Sequence, residues 1–139
     1  MTRSFLQERY KFIILFFIVI ELSFVLYLVY NGNNDSYLCK SFSSCSLVQE
    51  SQYGNIFGIK LAWFGLIGFS SLLFFYLLSF LNNKIYSLFL FLAVVGALFA
   101  LYFIYIQLFV LQAICSVCLI IDITMLIIFV FAILSFKKN

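Results

Sequence analysis

Four apolar runs, each near the length that crosses a bilayer, constrain this 139-residue chain more than any other feature. They cover about 12–30, 58–81, 85–107 and 112–136. A membrane helix needs roughly 20 consecutive apolar residues. The breaks are polar: 31–57 holds Asn-Gly, Asn-Asn and several serines, and Asn82-Asn83-Lys84 reads as a tight turn. Hydrophobic residues make up 66% of the chain and charged ones 9%, with mean hydropathy +1.20. A soluble domain is about half apolar and about a quarter charged. One 16.2 kDa globule cannot hide so much apolar surface, so lipid must cover it. The expected fold is therefore all-α and integral to the membrane. It is a single domain over 1–139, a four-transmembrane-helix bundle with an outer loop at 31–57. The polar start (Thr2, Arg3, Gln7, Glu8, Arg9) looks like a signal-peptide head. The run behind it is too long for such a peptide and is followed by no small-residue cleavage site, so it reads as a retained helix.

Charge placement gives the orientation. Arg3, Arg9, Lys11, Lys84, Lys137 and Lys138 flank one side, and only Lys40 and Lys60 the other. The positive-inside rule puts both termini and the Lys84 turn in the cytoplasm of a multi-pass plasma-membrane protein. The long loop and the 107–114 junction then face outward, with Tyr27, Tyr30, Trp63, Tyr102 and Tyr105 near the outer interface. Lys60 reads as a side chain snorkelling to outer headgroups. A net charge of +3 without a long basic block argues against a nucleic-acid partner. The absence of histidine removes histidine-ligated zinc and haem.

All four cysteines fall on the outward side under this topology. Cys39 and Cys45 close a short loop, and Cys115-Ser116-Val117-Cys118 lies at the start of the fourth run. Cys115 and Cys118 share a helix face at i, i+3. The positive end of that helix, a few residues before Cys115, favours the thiolate that attacks in disulfide exchange. A loop pair that can swing suits electron transfer between a soluble partner and a fixed site. Three blander readings stand beside this one: small apolar fillers at Cys115 and Cys118, a purely structural Cys39–Cys45 bridge, and a four-cysteine zinc site, for which the loop spacing is poor. The shared depth of both pairs favours redox chemistry.

The segment from Cys45-Ser46 through Ser51, Tyr53-Gly54 and Phe57-Gly58, with Cys115-x-x-Cys118 opening the fourth helix, resembles the vitamin K epoxide reductase family. The resemblance runs from about Cys39 to Cys118. It implies a four-helix bundle with a short capping helix around 46–53 and a quinone-dependent thiol–disulfide oxidoreductase that uses no metal. Cys39 would exchange with a thioredoxin-like (DsbA-like) partner, Cys45 would pass electrons to Cys115, and Cys118 would face a quinone of ubiquinone, menaquinone or phylloquinone type. Ser51 and Phe57 match positions near the quinone ring, and Tyr53 matches an aromatic one. In prokaryotic relatives the outcome is disulfide formation in secreted proteins. The chain ends at Asn139, so the thioredoxin-like partner is expected to be a separate protein.

Two departures matter. Leu61-Ala62 replace the stretch holding the quinone-binding asparagine of the animal enzymes, and Asp122 replaces their tyrosine four residues after the second cysteine. Both speak against the epoxide as substrate and leave quinone reduction open. Asp122 lies one turn beyond Cys118 on the same face. A carboxyl there is costly unless it faces the bundle interior. It reads as a hydrogen-bond or proton donor to the quinone, the alternative being a tie to Ser23 or Thr124. Glu21, midway along the first run, reads as structural, the alternatives being a second proton group or a partner for Asp122. Phe57 and Phe64 are candidates for an apolar quinone slot. Two competing functions are a DsbB-like oxidase, whose cysteine pairs come in the opposite order, and a non-catalytic membrane subunit with a loop disulfide.

Overall fold

The computed structural model describes residues 2–31 and 45–138. Cys39, and the side chain of Cys45, lie outside the described residues. The chain runs α1 (Thr2–Asn31), α2 (Cys45–Glu50), β1 (Asn55–Ile56), β2 (Ile59–Lys60), α3 (Leu61–Ser79), α4 (Asn83–Tyr105), a π turn (Ile106–Val110) and α5 (Ser116–Lys138). Four of these helices are long and apolar enough to cross a membrane.

The four long helices form a ring in which α1 packs on α3, α3 on α4, α4 on α5 and α5 on α1. Each buries a narrow stripe. On α1 it is Ile14, Ile18, Glu21, Val25 and Leu28, spaced alternately four and three residues apart as an inward helix face must be. Apolar packing gains nothing from water exclusion inside lipid, so close approach matters more. The chain provides it through small residues: Ala93, Ala97 and Ala100 are buried on α4, and Ala132 on α5. A Cβ at Gly96 would collide with Met125 Cε. The broad faces left over carry Phe12, Phe16, Phe74 and Phe91, all exposed toward where lipid lies.

Polar residues secure the end opposite the cap. Tyr76 donates to the carbonyl of Lys11 at 2.8 Å and Tyr86 to that of Ala132 at 2.7 Å. These bonds tie α3 to α1 and α4 to α5 across the ring. Asn82 caps α4 by accepting from the Lys84 N–H at 3.0 Å, so the predicted turn is a helix start built on an asparagine cap.

The boundaries differ from the sequence reading in three places. The second span begins at Leu61, three residues after Gly58, because residues 55–60 form an antiparallel hairpin pairing Asn55 with Lys60 and Ile56 with Ile59. Both residues of its turn, Phe57 (φ 54°) and Gly58 (φ 79°), adopt left-handed backbone. The third span continues past Gln107 through the π turn to Val110. The fourth begins at Ser116, four residues later than expected, since Gln112 (φ 50°) breaks the path and residues 112–115 run without helix. The expected capping helix is present as α2.

Candidate functional site

Cys115 is the residue before α5, and it caps that helix. Its carbonyl accepts the first helical bond, from the Leu119 N–H at 2.8 Å, and its sulfur accepts the Cys118 N–H at 3.3 Å. A cap position usually offers a serine or aspartate oxygen. Here a sulfur fills it, with an N–H and the positive helix end aimed at it, surroundings that favour negative charge. The sequence reading placed Cys115 inside the helix; the cap position puts it closer to the unpaired N–H groups. The sulfurs of Cys115 and Cys118 stand 2.7 Å apart.

Burial separates the two thiols. Cys115 is 0% exposed and packs with Leu28 and Val117 beneath Val48 of α2. Cys118 lines a cavity of about 890 Å³ that runs from under the cap into the bundle between α3, α4 and α5. Of the two thiols only that of Cys118 lines the cavity, with Cys115 behind it. The short helix α2, whose first residue is Cys45, packs on α5.

Of the residues predicted to meet a ligand, Ser51, Tyr53, Phe64 and Asp122 all line this cavity. Ser51 has its hydroxyl committed to the cap: it donates to Val48 O at 2.7 Å and accepts the Gly54 N–H at 3.2 Å. Phe57 is not brought to the cavity. It stands at the hairpin tip, 98% exposed, because the turn throws its side chain off the cap.

Asp122 does not bond to Ser23 or Thr124. Ser23 donates to its own helix at Val19 O (3.0 Å) and Thr124 to Ile120 O (2.7 Å). The partner is Gln107, which the sequence reading took only as a helix end. Gln107 is 2% exposed; its Nε2 donates to Asp122 Oδ2 at 3.2 Å and its Oε1 accepts the Cys115 N–H at 3.2 Å. One amide thus joins the carboxyl to the cysteine cap. The π turn aims it: Leu111 N–H reaches back to Ile106 O (2.9 Å), and Ala113 N–H to Gln107 O (3.2 Å). Such one-turn π bulges are frequent at functional sites. The available signal was a lone amide at the end of an apolar run, eight residues before a cysteine. Among the described residues, no group of three or more histidine, cysteine or acidic side chains could hold a metal.

A dithiol at the head of a membrane helix, one sulfur facing an apolar cavity among the long helices and one shielded behind it, defines a membrane thiol oxidoreductase. The sequence profile of the vitamin K epoxide reductase family matches residues 10–133, nearly the whole chain, and the protein belongs to that family. No curated protein and no solved structure matches the chain.

Proposed function

We propose that this protein oxidises a thioredoxin-like partner and delivers the electrons to a membrane quinone, supporting disulfide formation in proteins outside the cytoplasm. The observation that carries the reading is the shared cavity wall: the Cys118 sulfur and the Asp122 carboxyl lie one helical turn apart on it, with Cys115 within bonding reach behind. The cavity fits a quinone ring. Its wall is mostly apolar, and its thiol and acid converge at one end, as an electron acceptor with carbonyl oxygens requires. A bound quinone supplies the capacity to take two electrons and two protons.

The chain's own groups divide the work. Cys118 presents the reacting sulfur to the cavity. Cys115 closes the disulfide from behind, and the helix end at its sulfur stabilises charge while it does so. Asp122 offers a proton at the cavity wall. Gln107 holds Oδ2 of that carboxyl and leaves Oδ1 for the ligand. Electrons reach Cys115 through Cys45 at the head of α2 and through Cys39, which meets the partner dithiol. The lysine and arginine distribution supports a topology with the capped end outward and both termini in the cytoplasm.

The test is purified full-length protein in lipid nanodiscs with a reduced thioredoxin-like dithiol and a short-chain quinone. Quinone consumption that stops when any one of Cys39, Cys45, Cys115 and Cys118 is changed to serine supports the reading. Consumption that persists without Cys118 ends it.

A further inference from the structure

Glu21 occupies the centre of the inward stripe of α1, between Ile18 and Val25, where an aliphatic side chain would pack. It is 1% exposed, and neither of its carboxyl oxygens makes a hydrogen bond. Asp122 and Thr124 of α5 are the polar groups that face it. Thr124 already gives its hydroxyl hydrogen to Ile120 O, so it has only lone pairs to offer Glu21. The ion pair of Lys11 with Glu8 lies ten or more residues earlier on α1. As a carboxylate Glu21 therefore receives no hydrogen bond from a neighbouring helix, and as the neutral acid it has only Thr124 on α5 to give one to. A buried carboxyl without partners costs stability and recovers none through contacts. Inside a membrane such a group marks function.

Its location says which function. Asp122 lines the cavity and Glu21 does not, so Glu21 stands behind the acid that meets the ligand. Resting on the quinone-reducing reading, we propose that Glu21 is a proton-holding site behind Asp122, which rests as the neutral acid, gives its proton through Asp122 to the reduced quinone oxygen and is refilled by a proton released from the cavity thiol. Each turnover converts two thiols and a quinone into a disulfide and a hydroquinol. Two S–H bonds break, one S–S bond and two O–H bonds form, and two electrons pass from sulfur to the quinone. Protons thus balance without an outside source, but their timing does not. The sulfur attacks after losing its proton, and the oxygens need protons only once electrons arrive. A second carboxyl, closed off from water, bridges that interval. Asp122 is the group that touches the ligand; Glu21 acts through it.

The test uses full-length protein in nanodiscs carrying Glu21→Gln or Glu21→Leu. Reoxidation of the reduced Cys115–Cys118 pair by a short-chain quinone should slow at least tenfold in both. Exchange with the partner dithiol should stay at the wild-type rate. Glu21→Leu should melt at a higher temperature than wild type, since an apolar group replaces an unpartnered acid. Infrared difference spectra recorded during reoxidation should show a transient carboxylic C=O band in wild type that Glu21→Gln removes. A lower melting temperature for Glu21→Leu would restore the structural role and overturn the inference. So would a wild-type reoxidation rate together with an unchanged band in Glu21→Gln. Wild-type protein whose thiols the quinone never oxidises sinks the quinone reading itself, and this inference with it. The two failures are therefore told apart by the wild-type control.

Discussion

At the scale of single residues, the site rests on two side chains that a motif search passes over. Asp122 is one. As proton donor at the cavity wall it should be worth what general acids usually are, about 10²-fold or more in rate. Asp122→Asn keeps the Gln107 contact in size and shape, so stability should change little while quinone reduction slows about 100-fold. Stopped-flow traces of thiol reoxidation measure this; dithiol exchange with the partner, followed separately, should be unaffected. Gln107 is the other. Its amide serves Asp122 and the Cys115 N–H at once, and a buried polar group that loses its partner costs about 1–3 kcal/mol. Gln107→Leu abandons both groups together. The protein should lose roughly 2–4 kcal/mol by that principle, seen as a lower melting temperature. It should also weaken quinone reduction, because the carboxyl is no longer held against the wall. An unaltered melting temperature would show that the amide does not bridge the two.

Helices and turns raise a different question, namely which contacts set the shape of the cavity. At the α4–α5 contact, a methyl group on Gly96 meets the tip of Met125, a flexible side chain on the cavity wall. Gly96→Ala should therefore be absorbed by a swing of the methionine into the cavity. Folding should survive with a loss under about 1.5 kcal/mol, as adaptable core positions usually allow, while the quinone KM rises and kcat changes less. Equal KM values for the two proteins would mean that Met125 moves elsewhere. In the hairpin, Phe57 holds left-handed backbone that an aromatic residue adopts only at a cost. Phe57→Asn creates the Asn-Gly pair that such two-residue turns prefer, and should raise stability by up to about 1 kcal/mol. Because Phe57 stands off the cavity, the quinone KM should stay put, whereas Phe64→Ala, on the wall, should raise it. These elements also show what the sequence could and could not reveal. Long apolar runs announce membrane helices through their length, and Cys-x-x-Cys at the head of a run announces a dithiol. The hairpin at 55–60 is too short to show a strand period. The π turn has no composition of its own, and it alone brings Gln107 within reach of Asp122. Asp122 was legible as a costly carboxyl; its partner was not, because that contact joins residues fifteen positions apart through a break in helical geometry.

On the scale of the whole molecule, the ring of four helices sorts chemistry to its two ends. One end gathers Lys11, Ser79, Asn83 and the Tyr76 and Tyr86 hydroxyl bonds around a small polar recess. Lys11 reaches over the Phe80 ring at 5.5 Å there, so the start of α1 and the turn between α3 and α4 lie side by side. The other end carries α2, the hairpin and the dithiol. Most cations follow this division: Arg3, Arg9, Lys11, Lys84 and Lys137 stand on helix segments at the recess end, and Lys60 in the hairpin at the other. A positive charge near a helix end resists transfer across the membrane during insertion, so that end should stay in the cytoplasm. The dithiol end then faces a compartment where disulfides persist and a soluble thiol partner can dock. Two probes decide it. A cysteine placed at Asn83, in a chain whose own four cysteines are serine, should react with a membrane-impermeant maleimide only after the cells are opened. A cysteine placed at Gln52, beside the cap, should react in intact cells. The reverse pattern would deliver the electrons of the Cys115–Cys118 pair to the cytoplasmic face, where thioredoxin and glutathione keep thiols reduced, and the oxidase would have no disulfides to make.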